Sequence, residues 1–460
     1  MLDRSVDVDV LFVNWRDLSH PEGGGSERYV HQVAEGLAAA GLRVTLFCAA
    51  HDRAPAEEVV NGVRIVRRGS RLGVYPRALA FVRRTRPRLV VDVQNGIPFS
   101  STLVRRGRPV TAVVYHVHKE QWPIVFGRVM GRVGWWLESR VAPRVYRRCR
   151  YVTISEATRT EMAGLGIDPD RVTVVPVGIE PFPAVGTRRS PTPHLVALGR
   201  LVPHKRVEHA LEVLARLSDR WPDLTLTVIG DGWWEDQLRA EAERLGVADR
   251  VTFAGFVDEQ AKHELLATGW VHLCPSIKEG WGLVVNEAGG HGVPTVGYRS
   301  AGGLRESVLD GVSGVLVDDL DEMTAAAARL LADDAEREAM GGAAARYAVS
   351  LEWPATVRSF AAALARSVRG SAATGTHPEL ALADLARALD RVAVGIVPGH
   401  GDDGARSDGG AGGQSQEEGH ELLLHRGHGL RTAGRGTDGR VDGTVDDSVD
   451  VTAAARTGTA

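Results

Sequence analysis

Cysteine is scarce in this chain. Its 460 residues include three, Cys48, Cys149 and Cys274, which are far apart, odd in number and without a CxxC spacing. That excludes a disulfide scaffold and a cysteine-based zinc site, and it points to a reducing compartment. Long apolar runs are missing too, and none approaches the roughly 20 residues that span a bilayer. The start, Met1-Leu-Asp-Arg-Ser-Val-Asp-Val-Asp9, is too acidic for a signal peptide. The expected location is therefore the cytoplasm. No GxGxxG follows the first strand, which disfavours a dinucleotide site. Beyond Gly399 there are no aromatic residues. Gly, Asp, Arg, His and Thr dominate there, so this segment buries too little apolar surface to order itself. Residues 370–460 are read as a low-complexity tail, with one Ala/Leu-rich helix expected at 377–393.

The net charge of −3 hides an asymmetry. Residues 60–150 hold 20 Lys/Arg against three acids, Asp92, Glu120 and Glu138, which leaves the remainder at −20. A basic face of this size suits an anionic partner, and contact with an anionic membrane through residues 60–150 is the expectation. Nucleic acid is not expected. Within this stretch Val125, Phe126, Val129, Met130, Val133, Trp136, Leu137 and Val141 recur at helical spacing among arginines. This reads as a basic amphipathic helix whose apolar face packs on its own domain.

Apolar strands alternate with helical patterns along the chain. Val8–Asn14, Val44–Cys48, Leu89–Val93, Val110–Tyr115 and Val172–Val175 form one set. After the proline-rich linker 181–193 come Leu195–Leu198, Leu224–Ile229, Val251–Ala254, Val271–Cys274, Thr295–Gly297 and Gly314–Val317, with helices at 207–219, 234–245 and 258–267. The fold class is α/β: two Rossmann-like, doubly wound domains, 1–180 and 194–351, joined by the linker. A last helix is expected at 352–369, beginning at Glu352-Trp-Pro354.

Glu279-Gly-Trp-Gly-Leu-Val-Val-Asn-Glu287 follows the strand at 271–274. A strand, a glycine turn and a helix start favour phosphate, yet two acids there would repel it. They fit hydroxyl groups beside a phosphate, as on a nucleotide-sugar. Gly199-Arg-Leu-Val-Pro-His-Lys-Arg206 supplies two cations, Arg200 and Lys205, at another strand end of the same domain. Arginine offers a fork for phosphate oxygens and lysine a mobile point charge.

These motifs, with Ala301-Gly-Gly-Leu-Arg-Glu-Ser-Val-Leu-Asp-Gly-Val-Ser-Gly314, resemble the donor-binding domain of the family-4 retaining glycosyltransferases of GT-B fold. The similarity covers roughly residues 6–368, and it implies that the two domains face each other across a cleft and that the last helix, 352–369, crosses back to the first domain. It departs at Asn286 and at Gly289-Gly-His-Gly292, where the family more often has apolar or small residues, so unusual packing of the following helix is expected. The resemblance implies that Glu287 binds the donor ribose, while Glu279 contacts hydroxyls of the transferred sugar. Arg200, Lys205 and the backbone amides of Gly280, Trp281, Gly282 and Leu283 would neutralise the diphosphate. His118, with His116 on the same strand face, resembles the family's histidine near the reacting centre, and His118 and Glu279 are the expected catalytic pair. The loop Gly23-Gly-Gly-Ser26 would lie between donor phosphate and acceptor, and Phe256 is a further candidate near the base. The expectation is a nucleotide diphosphate-sugar donor, a hydroxyl acceptor that is lipid-linked or of the cell envelope, and no metal or other cofactor. The rivals are a nucleotide-sugar epimerase or phosphorylase on the same fold, or a non-catalytic nucleotide-sugar-binding protein.

Overall fold

A computed structural model describes residues 7–21, 23–104, 108–372 and 379–395. The first domain is built on an eight-stranded sheet. In chain order its strands are β1 (Val10–Val13), β2 (Val44–Cys48), β3 (Glu57–Val60), β4 (Val63–Arg67), β5 (Leu89–Gln94), β6 (Val110–Val114), β7 (Arg150–Thr153) and β8 (Val172–Val174). They lie in the order β3-β4-β2-β1-β5-β6-β7-β8, parallel except where β3 meets β4. The second domain carries β9 (His194–Leu198), β10 (Thr225–Ile229), β11 (Val251–Gly255), β12 (Val271–Cys274), β13 (Thr295–Tyr298) and β14 (Gly314–Val317). Their order is β11-β10-β9-β12-β13-β14, and every pair is parallel. Parallel strands covered on both faces read as continuous Val/Ile/Leu runs, which is why β1, β2, β5, β6 and β12 are buried along their whole length.

The β3–β4 hairpin does not follow such a run. Its sequences, Glu57-Glu-Val-Val60 and Val63-Arg-Ile-Val-Arg67, place a charged residue in three of the four register pairs. Arg67 is nonetheless buried, paired with Asp17 and with Glu58. Burial alone would raise the Asp17 pKa, but Arg67, Ser19 and His51 hold it below the usual carboxylate range. One arginine of the basic stretch thus belongs to the interior.

Helix Trp353–Ala372 buries Phe360, Leu364 and Val368 in the core of the first domain with Phe12, Tyr29 and Val33. Helix Glu379–Ala393 adds Leu385 and Leu389 to that core, so these residues, expected within the tail, complete the first domain instead. The rest of the expected tail, from residue 396, lies outside the described residues. The three cysteines are buried. Among the described residues no helix is long and apolar enough to cross a membrane.

Residues 125–148 differ from the single amphipathic helix expected. Helix Gln121–Trp136 is broken at Gly127, where φ is 72° and ψ 176°. The chain folds back there, so a Cβ on Gly134 would lie 2.2 Å from the Trp122 ring and one on Gly131 2.9 Å from Pro123. A π-helical turn, Leu137–Val141, and a short helix, Ala142–Val145, follow. The apolar side chains Phe126, Val129, Met130, Val133 and Trp136 are exposed, contrary to the expected packing. The glycine break bends the segment about Trp122 and leaves its other side uncovered.

Candidate active site

In the second sheet β9 lies between β10 and β12, so the strand order reverses at β9–β12. Open α/β sheets bind ligands at the carboxyl edge of such a point. The loop after β9 brings Lys205, and the loop after β12 brings Glu279. Lys205 Nζ donates to Glu279 Oε1 at 2.5 Å, and Ser276 Oγ donates to the same oxygen at 2.7 Å. Both partners are largely buried, at 18% and 11% side-chain exposure. Burial works against the Glu279 charge, but Lys205 and Ser276 outweigh it and hold the carboxyl below its ordinary value. Arg200 is exposed and has no ion pair among the described residues. His204 lies between these groups. Burial, then the charges of Lys205 and Arg200, push its pKa down to about 4, so it is neutral at pH 7.

Gly282 sits at φ 93°, in the left-handed region, and caps the helix Leu283–Gly289. A side chain there would be strained and would meet Leu304 at 2.6 Å. The helix has seven residues and stops short of His291, because Gly289 and Gly290 let Ala344 and Phe182 press against the backbone. Asn286 is buried, and its Oδ1 accepts from Trp281 Nε1 at 2.8 Å. These contacts give the departures from the family pattern a packing reason. The Trp281 ring is buried in the core of the first domain, which leaves only its backbone for a ligand. Glu287 accepts from Lys262 Nζ at 2.8 Å. Lys262 also donates to Glu259 at 2.8 Å. Burial disfavours the Lys262 charge, but these two carboxylates outweigh it and raise the pKa.

Across the cleft β6 ends at Val114, so His116 and His118 stand on the following loop rather than on a strand. Their ring centroids are still 4.1 Å apart. His118 Nδ1 lies 2.8 Å from Glu138 Oε1, and Trp122 Nε1 donates to Glu138 Oε2 at 2.7 Å. The pairing assigns the proton to Nδ1 and leaves Nε2 for the cleft. Glu138 is buried on the π-helical turn Leu137–Val141, whose wider winding is a recurrent device at functional sites. His116 contacts Gln121 at 3.1 Å. Burial and then the His118 ring hold its pKa well below the usual value, with Lys278 and Lys205 of the other domain adding to the effect. His116 of one domain therefore senses the cations of the other.

Several contacts close the cleft. A Cβ on Gly280 would lie 2.8 Å from the Tyr115 carbonyl oxygen, and one on Gly25 would lie 2.8 Å from Leu283. The Glu306 carboxylate accepts from the amides of Glu156 and Ala157 at 2.9 and 3.0 Å, and Lys278 pairs with Glu161. In the loop Gly23–Ser26, the Gly24 amide and Ser26 Oγ both donate to the buried Glu27 carboxylate at 2.9 Å. One amide of the glycine loop is thus already occupied by the chain's own acid.

The structure therefore brings His116, His118, Arg200, Lys205, Gly280, Leu283 and Glu279 to one cleft, with Gly23–Ser26 at its rim and Glu287 beside it. Phe256 stands apart, 82% exposed after β11, roughly 14 Å from β12 by strand spacing. Glu138, His204, Ser276, Lys262 and Glu306 were not singled out from the sequence. His204 is a spacer inside a motif that was read, and Lys262 lies within the helix expected at 258–267, which carries no motif. Glu138 is 20 residues from His118, beyond any short motif. Among the described residues no group of three or more His, Cys, Asp or Glu is placed to hold a metal ion.

Two family models match the chain: glycosyltransferase family 4 over residues 23–181 and glycosyl transferases group 1 over residues 179–347. A GDP-mannose-dependent alpha-(1-6)-phosphatidylinositol monomannoside mannosyltransferase of Mycolicibacterium smegmatis is 38% identical over 166 residues, 34% of this chain and 43% of the relative. The alignment thus spans less than half of that relative. The protein of the same name from Mycobacterium tuberculosis strain H37Rv is 32% identical over 273 residues, 55% of this chain and 68% of the relative. The fold is that of GT-B glycosyltransferase structures. Sucrose-phosphate synthase from Thermosynechococcus elongatus superposes with TM-score 0.62 at 20% identity, covering 76% of this chain and 96% of that one. Anabaena HepE in complex with UDP and glucose gives 0.61 at 18%, covering 78% and 100%. The chain belongs to the group 1, family 4 glycosyltransferases.

Proposed function

We propose that the protein moves a sugar from a nucleotide diphosphate-sugar to an acceptor hydroxyl with retention of anomeric configuration. The observation that carries this is the pairing at the cleft: Lys205 with Glu279, and Lys262 with Glu287. Each carboxylate is held by a cation of the site itself. A diphosphate draws on Lys205 and Arg200, and the carboxylates are then free for hydroxyls, Glu287 for the ribose and Glu279 for the transferred sugar. The bond from C1 to the phosphate oxygen breaks through an oxocarbenium-like centre. The acceptor oxygen joins C1 on the same face, and its proton passes to the departing phosphate. The protein's share is positioning and stabilising charge on the leaving group. His118, fixed by Glu138, presents Nε2 to the sugar, and His116 lines the same side.

Arg200, Lys205 and the turn amides supply the positive charge that a metal gives elsewhere, so turnover is metal-independent and needs no cofactor beyond the donor. The names of the mannosyltransferase relatives make GDP-mannose the first donor to test. Those relatives act on a phosphatidylinositol mannoside, which favours a lipid-linked acceptor, met by a cytoplasmic enzyme at the inner membrane face. Family and relatives speak for transfer over the epimerase, phosphorylase and binding-protein readings. The test is nucleoside diphosphate release from GDP-, UDP-, ADP- and dTDP-sugars, with and without lipid extract. Release that depends on an acceptor, with product anomeric configuration matching the donor by NMR, supports the proposal. Donor conversion without acceptor, or no release from any donor, overturns it.

A further inference from the structure

The hairpin broken at Gly127 leaves an apolar surface that the proposed reaction does not use. Phe126, Val129, Met130, Val133 and Trp136 are 45%, 73%, 60%, 45% and 57% exposed. The last four recur at helical spacing on one side, and Phe126 stands just before the break. Exposed large apolar side chains gathered in one patch mark an interaction surface. Arg128, Arg132 and Arg140 are exposed around them. Arg71 adds its guanidinium 5.9 Å from the Phe126 ring, beside Leu72, which is 70% exposed. The nearby acids are Glu120, which precedes the helix Gln121–Trp136, and Glu138, buried against His118 and Trp122.

We infer that this hairpin docks the protein on an anionic lipid bilayer, with the five apolar side chains in the headgroup–acyl boundary and the arginines on the headgroups. Charge complementarity selects this occupant. A second copy meeting the same face would set arginine against arginine with no acid to pair them, whereas an anionic headgroup layer meets both the apolar strip and its basic border. The placement also suits the chemistry. Gln121 and Trp122, in the first turn of the hairpin, contact His116 and Glu138, so the docked element is joined to the wall of the cleft. This inference deepens the proposed function and rests on its lipid-linked acceptor.

The test is flotation of the full chain with phosphatidylcholine vesicles, with and without phosphatidylglycerol, at about 0.1 M salt. The expected result is binding to the anionic vesicles, with a blue shift of tryptophan emission, and at least about tenfold weaker binding to neutral ones. Val129→Asp/Met130→Asp abolishes binding, and Arg128→Glu/Arg132→Glu weakens it by about tenfold or more. Both variants keep the parent melting temperature and donor binding. Vesicle binding that both variants retain overturns the inference, as does equal binding to neutral vesicles. Concentration-dependent dimerisation lost in Val129→Asp/Met130→Asp assigns the face to a second copy and also overturns it. Transfer to a soluble acceptor without vesicle binding defeats the docking alone. Vesicle binding without transfer from any donor supports the docking and defeats the proposed function instead.

Discussion

Replacing Lys205 with methionine keeps most of the apolar stem and removes the charge that holds Glu279. Breaking a buried ion pair by removing one partner costs about 3–5 kcal/mol. The pair retains 18% and 11% exposure, which places the cost at about 3 kcal/mol. For a domain of this size that is roughly 6–12 °C in melting temperature. The pH dependence carries the sign. In the parent, Glu279 has a folded pKa below its ordinary 4.5. Its contribution is present above the unfolded carboxyl pKa and is lost as pH falls through the folded one. In Lys205→Met, burial is the largest remaining influence and raises the folded pKa, so acidification now relieves the buried charge. The variant should therefore melt well below the parent at pH 8 and draw closer to it at pH 5. Adding Glu279→Gln should recover most of the loss at pH 8. Differential scanning calorimetry of the three proteins at both pH values decides this. An equal gap at pH 5 and pH 8, or a double variant no more stable than Lys205→Met, refutes the reasoning.

Three further outcomes are expected. Glu138→Gln removes the charge from the His118 bond and should lower kcat about 10- to 100-fold, with donor KM within about twofold, in steady-state assays. Gly280→Ala puts a Cβ 2.8 Å from the Tyr115 carbonyl and should force the domains apart, lowering stability by about 1–3 kcal/mol and kcat/KM by at least about tenfold; melting curves and kinetics report both. Chelator should leave turnover of the purified protein unchanged, and its loss on adding EDTA would show that a metal takes part.

The second domain was largely legible. Its strands other than the edge strand β11 are mostly buried, so they read as plain apolar runs, and its functional loops sit directly behind them. The paired acids in one loop and paired cations in another were enough to suggest hydroxyls beside phosphates. Less legible were features set by tertiary contact. Arg67 looked like part of a solvated basic face because its partner Asp17 is 50 residues away. His116 and His118 were expected on a strand face continuing from Val110–Tyr115, but β6 ends at Val114 and the Tyr115 hydroxyl donates to the Ser26 carbonyl. The apolar spacing in residues 125–148 gave a packed amphipathic helix, and a positive φ at Gly127 redirected it. Glycine freedom is visible in a sequence, but the fold decides whether it is used. Helix 379–393 was anticipated as a helix, yet only the burial of Leu385 and Leu389 in the same core as Phe360 and Leu364 shows that it belongs to the first domain.

The site is tested most directly by donor binding in the parent and in Glu287→Ala, followed by thermal shift with UDP-, GDP-, ADP- and dTDP-sugars. At a hundredfold excess over its dissociation constant, one donor class should stabilise the parent by about 2.7 kcal/mol, and Glu287→Ala should lose most of that shift. No stabilisation by any of the four, or an equal shift in parent and variant, would contradict a nucleotide-sugar site at Lys205, Glu279 and Glu287.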